Sequence, residues 1–143
     1  MPVTRVLIAI DPGREKCGVA ALDYSGRALW LEIADTQALW DRFAFLRMKF
    51  PGADRVAVGA GTGRERVLSC LAHSALKELP ASVVNERDTT RHARARYFEA
   101  HPPRGFMRLL PRGLRLPPRP VDDFAAAIIG ARFLKELAEK QHE

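Results

Sequence analysis

The apolar positions of this chain change period several times, and each change predicts an element. Val6-Leu7-Ile8-Ala9-Ile10 is an unbroken apolar run, too short for a helix and rich in branched side chains. It predicts a strand buried on both faces, ending where Asp11-Pro12-Gly13 must turn. Cys17 to Leu22 and Ala28 to Ile33 predict two further strands, separated by the turn-forming Asp23-Tyr24-Ser25-Gly26-Arg27. Asp35 or Thr36 then stands where a helix cap belongs, ahead of apolar positions Leu39, Phe43, Leu46 and Phe50 at helical spacing. Pro51-Gly52 stops that helix. Arg55 to Gly59 predicts a fourth strand, Glu65 to Lys77 a helix, and Ser82 to Glu86 a fifth strand. A helix capped by Asp88 or Thr89 is expected to about Ala100. A last one runs from Val121 to about Glu139, with Ala125, Ile129 and Phe133 on its inner face.

Between the last two helices the pattern disappears. Residues 101–120 hold five prolines besides Pro120, which forbids regular helix there. The order of elements, a three-strand meander followed by strands alternating with helices, predicts an α/β fold: a mixed five-stranded sheet covered by helices on both faces. At 143 residues with 47% apolar content, the chain suits a single domain spanning 1–143 with a core of its own. No apolar stretch approaches the roughly 20 residues needed to cross a bilayer, and residues 1–5 lack the form of a secretory leader. Cys17 and Cys70 have neither metal nor redox spacing and read as free buried thiols, so a cytoplasmic location is expected. Trp30 and Trp40 are expected in the core or an interface, and His73, His92 and His101 at the surface.

Charge narrows the function classes. The chain carries a formal +6, and nine arginines between Arg87 and Arg119 face two acids there, Asp88 and Glu99, a local +7. Clustered guanidinium groups suit phosphate oxygens, so a nucleic-acid partner is expected. The candidate contacts are Arg14, Lys16, Arg87, Arg91, Arg104, Arg108, Arg112, Arg115 and Arg119. Against this background three acids stand out. Asp11 and Glu86 each end an apolar strand, and Asp122 opens the last helix on the face that carries Ala125 and Ile129. In open sheets ligands bind beyond the carboxyl ends of the strands. Three carboxylates gathered there would need cations to stay ionised, and Mg²⁺ or Mn²⁺ prefers such hard oxygen donors. Two ions about 3.5–4 Å apart suit in-line displacement at phosphorus. Gly13 and Gly18 would let the following hairpin pass close to a ligand.

These residues carry a resemblance. Ile8-Ala-Ile-Asp-Pro-Gly-Arg-Glu-Lys-Cys-Gly-Val-Ala20 resembles the first-strand motif of the RuvC/YqgF resolvase-like branch of the ribonuclease H superfamily. Val84-Asn-Glu-Arg-Asp-Thr-Thr90 is similar to that branch's Asp-Glu-Arg-x-Thr-Thr motif, and Val121-Asp-Asp-Phe-Ala-Ala-Ala-Ile128 to its closing helix. The resemblance implies a ribonuclease H-like fold and a metal-dependent nuclease. Asp11, Glu86 and Asp122 would be its catalytic, metal-binding acids, with Asp123 as a further ligand. Its substrate would be branched DNA or structured RNA, as in Holliday junction resolution or ribosomal RNA processing. Junction resolution implies a homodimer, whereas RNA trimming is open to a monomer. The chain departs from the family pattern at Asn85, at Gly59 (no carboxylate on the fourth strand) and at Ala125, where RuvC-type resolvases carry another acid. Two alternatives compete: a non-catalytic nucleic-acid-binding module on the same fold, and a phosphotransferase of the actin and sugar-kinase type. The latter needs two such lobes to enclose its nucleotide.

Overall fold

The computed structural model describes residues 4–84 and 122–141. Five strands form one sheet: β1 (Val6–Asp11), β2 (Lys16–Asp23), β3 (Ala28–Asp35), β4 (Ala53–Gly59) and β5 (Ala81–Val84). Their spatial order is β3-β2-β1-β4-β5. The first three strands pair antiparallel, whereas β4 runs parallel to both β1 and β5. The mixed meander-then-parallel sheet expected from the apolar pattern is therefore present, and each strand lies where it was read, to within two residues at the described ends.

Alternation along the strands sorts the core into two layers. Val6, Ile8 and Ile10 of β1 face a cluster built with Leu39, Phe43 and Leu46 of α1 (Leu39–Lys49) and Val67 and Leu71 of α2 (Arg64–His73). Leu7 and Ala9 point the other way, toward Ala126, Ala127, Ile129 and Phe133 of α3 (Asp122–Gln141). Because successive strand side chains alternate faces, a β1 with large residues on both parities must be covered twice. Ala125, Ile129 and Phe133 are all buried, as the last helix's periodicity required. Among the described residues no helix is long and apolar enough to cross a membrane.

Two local readings need correction. Neither Asp35 nor Thr36 caps a helix with its side chain: a 3₁₀ turn at Thr36–Ala38 leads into α1, and the Thr36 hydroxyl is spent on a distant carbonyl. The helix expected to reach Lys77 stops at His73. There the Ser74 hydroxyl donates to the Leu71 carbonyl and accepts from the Leu76 amide, so Leu76 enters the core from a turn. Trp40 is 53% exposed on α1, whereas Trp30 packs against Phe45 and the core. Cys17 and Cys70 are unbridged, Cys17 fully buried and Cys70 half-buried, and His73 is exposed. The helix and basic loop expected over residues 88–120, and the expectations for His92 and His101, lie outside the described residues.

At the amino edge of the sheet a polar clasp joins β2 to β4. The Tyr24 hydroxyl donates to Asp54 Oδ1 at 2.7 Å, Arg5 Nε donates to Oδ2 at 2.8 Å, and the Arg5 guanidinium lies 4.0 Å from the Tyr24 ring centre. Burial, then the hydrogen bond to Asp54 and its negative charge, push the Tyr24 hydroxyl up to about 12. The unfolded value is near 10, so the folded state favours the neutral phenol. The stability this contributes is complete below pH 10 and lost as pH rises through 12. The urea midpoint of the wild type is thus expected to fall more steeply between pH 10 and 12 than that of Tyr24→Phe. Parallel curves for the two proteins would show that this clasp does not hold the phenol neutral.

Candidate active site

Because β1, β4 and β5 run parallel, their carboxyl ends share one edge of the sheet. Asp11 is the last residue of β1, the central strand, and is half-buried. Leu7 and Ala9 face α3, so strand alternation puts Asp11 on that same face. Its direct partner across the β1–β2 ladder is Gly18. On the other flank the β1–β4 register pairs Ile10 with Val58, so the next step brings Gly59 beside Asp11. Ala57 belongs to the α3 face, and Gly59 shares its parity. One carboxylate-bearing position therefore stands between two positions with no side chain. Neither of these two positions places a side chain of its own beside Asp11.

Val84, buried on the α3 face, ends β5 two residues before Glu86, and its carbonyl accepts from the Ala60 amide at 2.9 Å. Glu86 itself, with Arg87, Arg91, Arg104, Arg108, Arg112, Arg115 and Arg119, lies outside the described residues. Asp122 is the first residue of α3 and Asp123 the second; their side chains also lie outside. Among the described residues no three Asp, Glu, His or Cys groups gather as a metal site. The expected triad draws Glu86 and the Asp122 side chain from beyond that set.

The turn after Asp11 carries two of the expected phosphate contacts, Arg14 and Lys16, both exposed. Gly13 is needed here for a reason other than ligand access: a Cβ on it would overlap the Lys16 carbonyl oxygen, so the turn itself excludes a side chain. Beside this turn the β4–α2 loop adds residues not singled out by the apolar and charge pattern. Gly61, Gly63, Arg64, Glu65 and Arg66 line an open cleft of about 380 Å³. Gly63 takes a left-handed conformation at φ 90°, and a Cβ there would come within 3.0 Å of the Gly13 carbonyl oxygen. Gly61-Thr62-Gly63 is the only local signal for this loop, and it does not say which backbone the loop will meet.

No protein-family model matches the chain, and no curated protein matches its sequence. Solved structures do. Thermus thermophilus RuvC superposes with a TM-score of 0.59 at 17% identity over 93% of this chain and 96% of that one. RuvC of T. thermophilus in complex with a Holliday junction substrate gives 0.58 at 18% identity over the same shares. The fowlpox virus resolvase bound to Holliday junction DNA gives 0.57 at 13% identity, covering 92% of this chain and 98% of that one. The mixed sheet, the two-sided cover and the near-complete mutual coverage agree: this chain has the ribonuclease H-like fold of the RuvC-type resolvases.

Proposed function

We propose that the protein is a divalent-metal-dependent nuclease that hydrolyses phosphodiester bonds in branched DNA. The observation that carries this reading is Asp11: an acid ending the central strand, on the α3 face, between Gly18 and Gly59. Its support is the likeness to resolvases, two of them seen with Holliday junctions, over more than nine-tenths of this chain. Asp11, Glu86 and Asp122, with Asp123 adjacent, would hold Mg²⁺ or Mn²⁺, and hard carboxylate oxygens fit either ion. Bound there, the ions supply Lewis-acid activation of water and neutralise charge at the leaving oxygen.

The chain's own residues do the rest. Asp11 presents its carboxylate from the end of a strand paired on both sides as far as Ile10, and its own backbone is paired with Gly18, so little reorganisation is needed when the site fills. The glycines flanking it would put no side chain of their own in the way of a phosphate. Arg14 and Lys16, exposed on the turn, and Arg87, Arg91, Arg104, Arg108, Arg112, Arg115 and Arg119 neutralise the nucleic-acid backbone without reading bases. A four-way junction needs two related cuts, so this reading includes a homodimer.

The test is to incubate a synthetic four-way DNA junction and a structured RNA with the protein, with Mn²⁺ or Mg²⁺ and with chelator. Cleavage of the junction that the chelator stops is expected. Gly59 favours one second reading, a binding module without catalysis, because the carboxyl end of β4 offers no acid. Tight binding with no cleavage of either substrate in either ion would establish that reading instead, and cleavage confined to RNA would move the substrate. The basic segment makes a separate prediction. Arg115→Ala should lower the slope of log affinity against log salt by about 1 for a phosphate contact, with no change in sequence preference. An unchanged slope would remove Arg115 from the interface.

A further inference from the structure

Helix α1 buries Leu39, Phe43 and Leu46 against the sheet and carries a second apolar row on its outer side. Trp40, Ala44 and Met48 stand four residues apart, so they line up along one ridge of the helix. All three are exposed, Trp40 to 53% and Met48 to 85%. A single exposed apolar residue is ordinary; three aligned on one ridge call for a partner. Tryptophan and methionine are types enriched where two proteins meet, and the alanine between them lets a second helix come close.

Charge says what fits there. At about 100° per residue, Asp41 lies about 60° to one side of Ala44 and Arg47 about 60° to the other. The ion pairs among the described residues are Arg5–Asp54 and Arg42–Glu32, so neither Asp41 nor Arg47 is in one. Arg47 gives one N–H to the Ala53 carbonyl and keeps others to donate. Two copies of the ridge laid together about a two-fold axis along it set each apolar residue near its own counterpart. The same axis brings the Asp41 flank of each copy to the Arg47 flank of the other. Turning one copy end for end would instead bring like charges together. The face is complementary to itself in one orientation.

We infer that this ridge of α1 is a self-association face, where two copies pair through Trp40, Ala44 and Met48 with reciprocal Asp41–Arg47 ion pairs. Because α1 covers the sheet face opposite α3, such pairing turns both α3 faces outward. The need for two copies rests on the junction reading above; the face itself does not. One helix ridge is small beside the roughly 800 Å² per partner of a standard interface, so the dissociation constant is expected in the micromolar range.

The experiment is sedimentation velocity on the full chain from roughly 1 to 300 µM, a range that brackets micromolar association. Wild type is expected to pass from monomer to dimer as concentration rises. Ala44→Glu sets two carboxylates against each other at the axis and should weaken the dimer about 100-fold. Ala44 is exposed, so the melting temperature should hold. Asp41→Arg and Arg47→Glu should each weaken self-association about 10-fold by facing like charges. An equimolar mixture of these two variants should associate as tightly as wild type, because both reciprocal pairs form again. Should Arg47→Glu not fold, Ala44→Glu carries the test. A wild type that stays monomeric, a dimer that Ala44→Glu leaves intact, or a mixture of folded variants no tighter than either alone would overturn the inference. Each of these leaves the nuclease reading standing. A dimer with the expected responses that cleaves neither DNA nor RNA would overturn the nuclease reading alone.

Discussion

Asp11→Asn is expected to abolish metal-dependent cleavage while leaving binding to a DNA junction in place. Asparagine keeps the size and one oxygen of aspartate but removes the charge that a hard cation seeks. Lewis-acid and charge-neutralising contributions of bound ions amount to several kcal/mol of transition-state stabilisation. Losing about 4 kcal/mol slows the reaction roughly 1000-fold, since each 1.36 kcal/mol is tenfold. Binding is proposed to have a different origin, in the arginines and lysines spread along the chain, among them the exposed Arg14 and Lys16. Asp11→Asn removes a negative charge from the path of a phosphate, so junction affinity should hold or rise, and should still fall with salt. The fold should survive as well, because Asp11 belongs to the sheet through its backbone pairing with Gly18. The measurements are single-turnover cleavage and salt-dependent binding on the same preparation. Cutting that survives the substitution would place the chemistry elsewhere.

The sheet and its two covers were legible in the chain because burial on both faces leaves a mark that does not depend on distant contacts. Val6 to Ile10 can only be a central strand, and Ala125, Ile129 and Phe133 can only be a helix face turned inward. The end of β1 at Asp11 was equally readable, since Pro12-Gly13 cannot continue a strand. What misled were polar residues with two possible partners. Thr36 sits where a cap belongs, and nothing local reveals that its hydroxyl will instead meet Gly13 across a hairpin. Ser74 likewise ends α2 with bonds that mimic a turn, while the apolar spacing of Leu76 and Leu79 continues past it as though the helix did. The two glycines flanking Asp11 show the same limit. Gly18 reads as a small residue, but only strand register shows that it lies directly opposite Asp11 and puts Gly59 on the other flank. Composition names the acid; pairing supplies the space around it.

A second large effect is expected at Gly130, where α3 rests on the sheet. A Cβ there would come 3.1 Å from Ala9 Cβ and 2.6 Å from Leu22 Cδ1. Leu22 can move the end of its side chain aside, but Ala9 is fixed to the central strand and fully buried. Gly130→Ala therefore sets a helix-propensity gain of about 1 kcal/mol against a tight contact, and should change stability little. Gly130→Leu adds three more carbons with nowhere to go, and overpacking of this kind costs up to about 3 kcal/mol. For a chain of this size that corresponds to a fall in melting temperature of roughly 10 °C. The consequence extends to function, because α3 begins at Asp122. On the proposal that Asp122 joins Asp11 in the site, lifting the helix from Ala9 and Leu22 would also displace its first turn, so Gly130→Leu should lose cleavage at temperatures where it is still folded. A Gly130→Leu protein as stable and as active as wild type would mean that α3 does not seat on β1 and β2 through this glycine, and Asp122 would lose its route to the site.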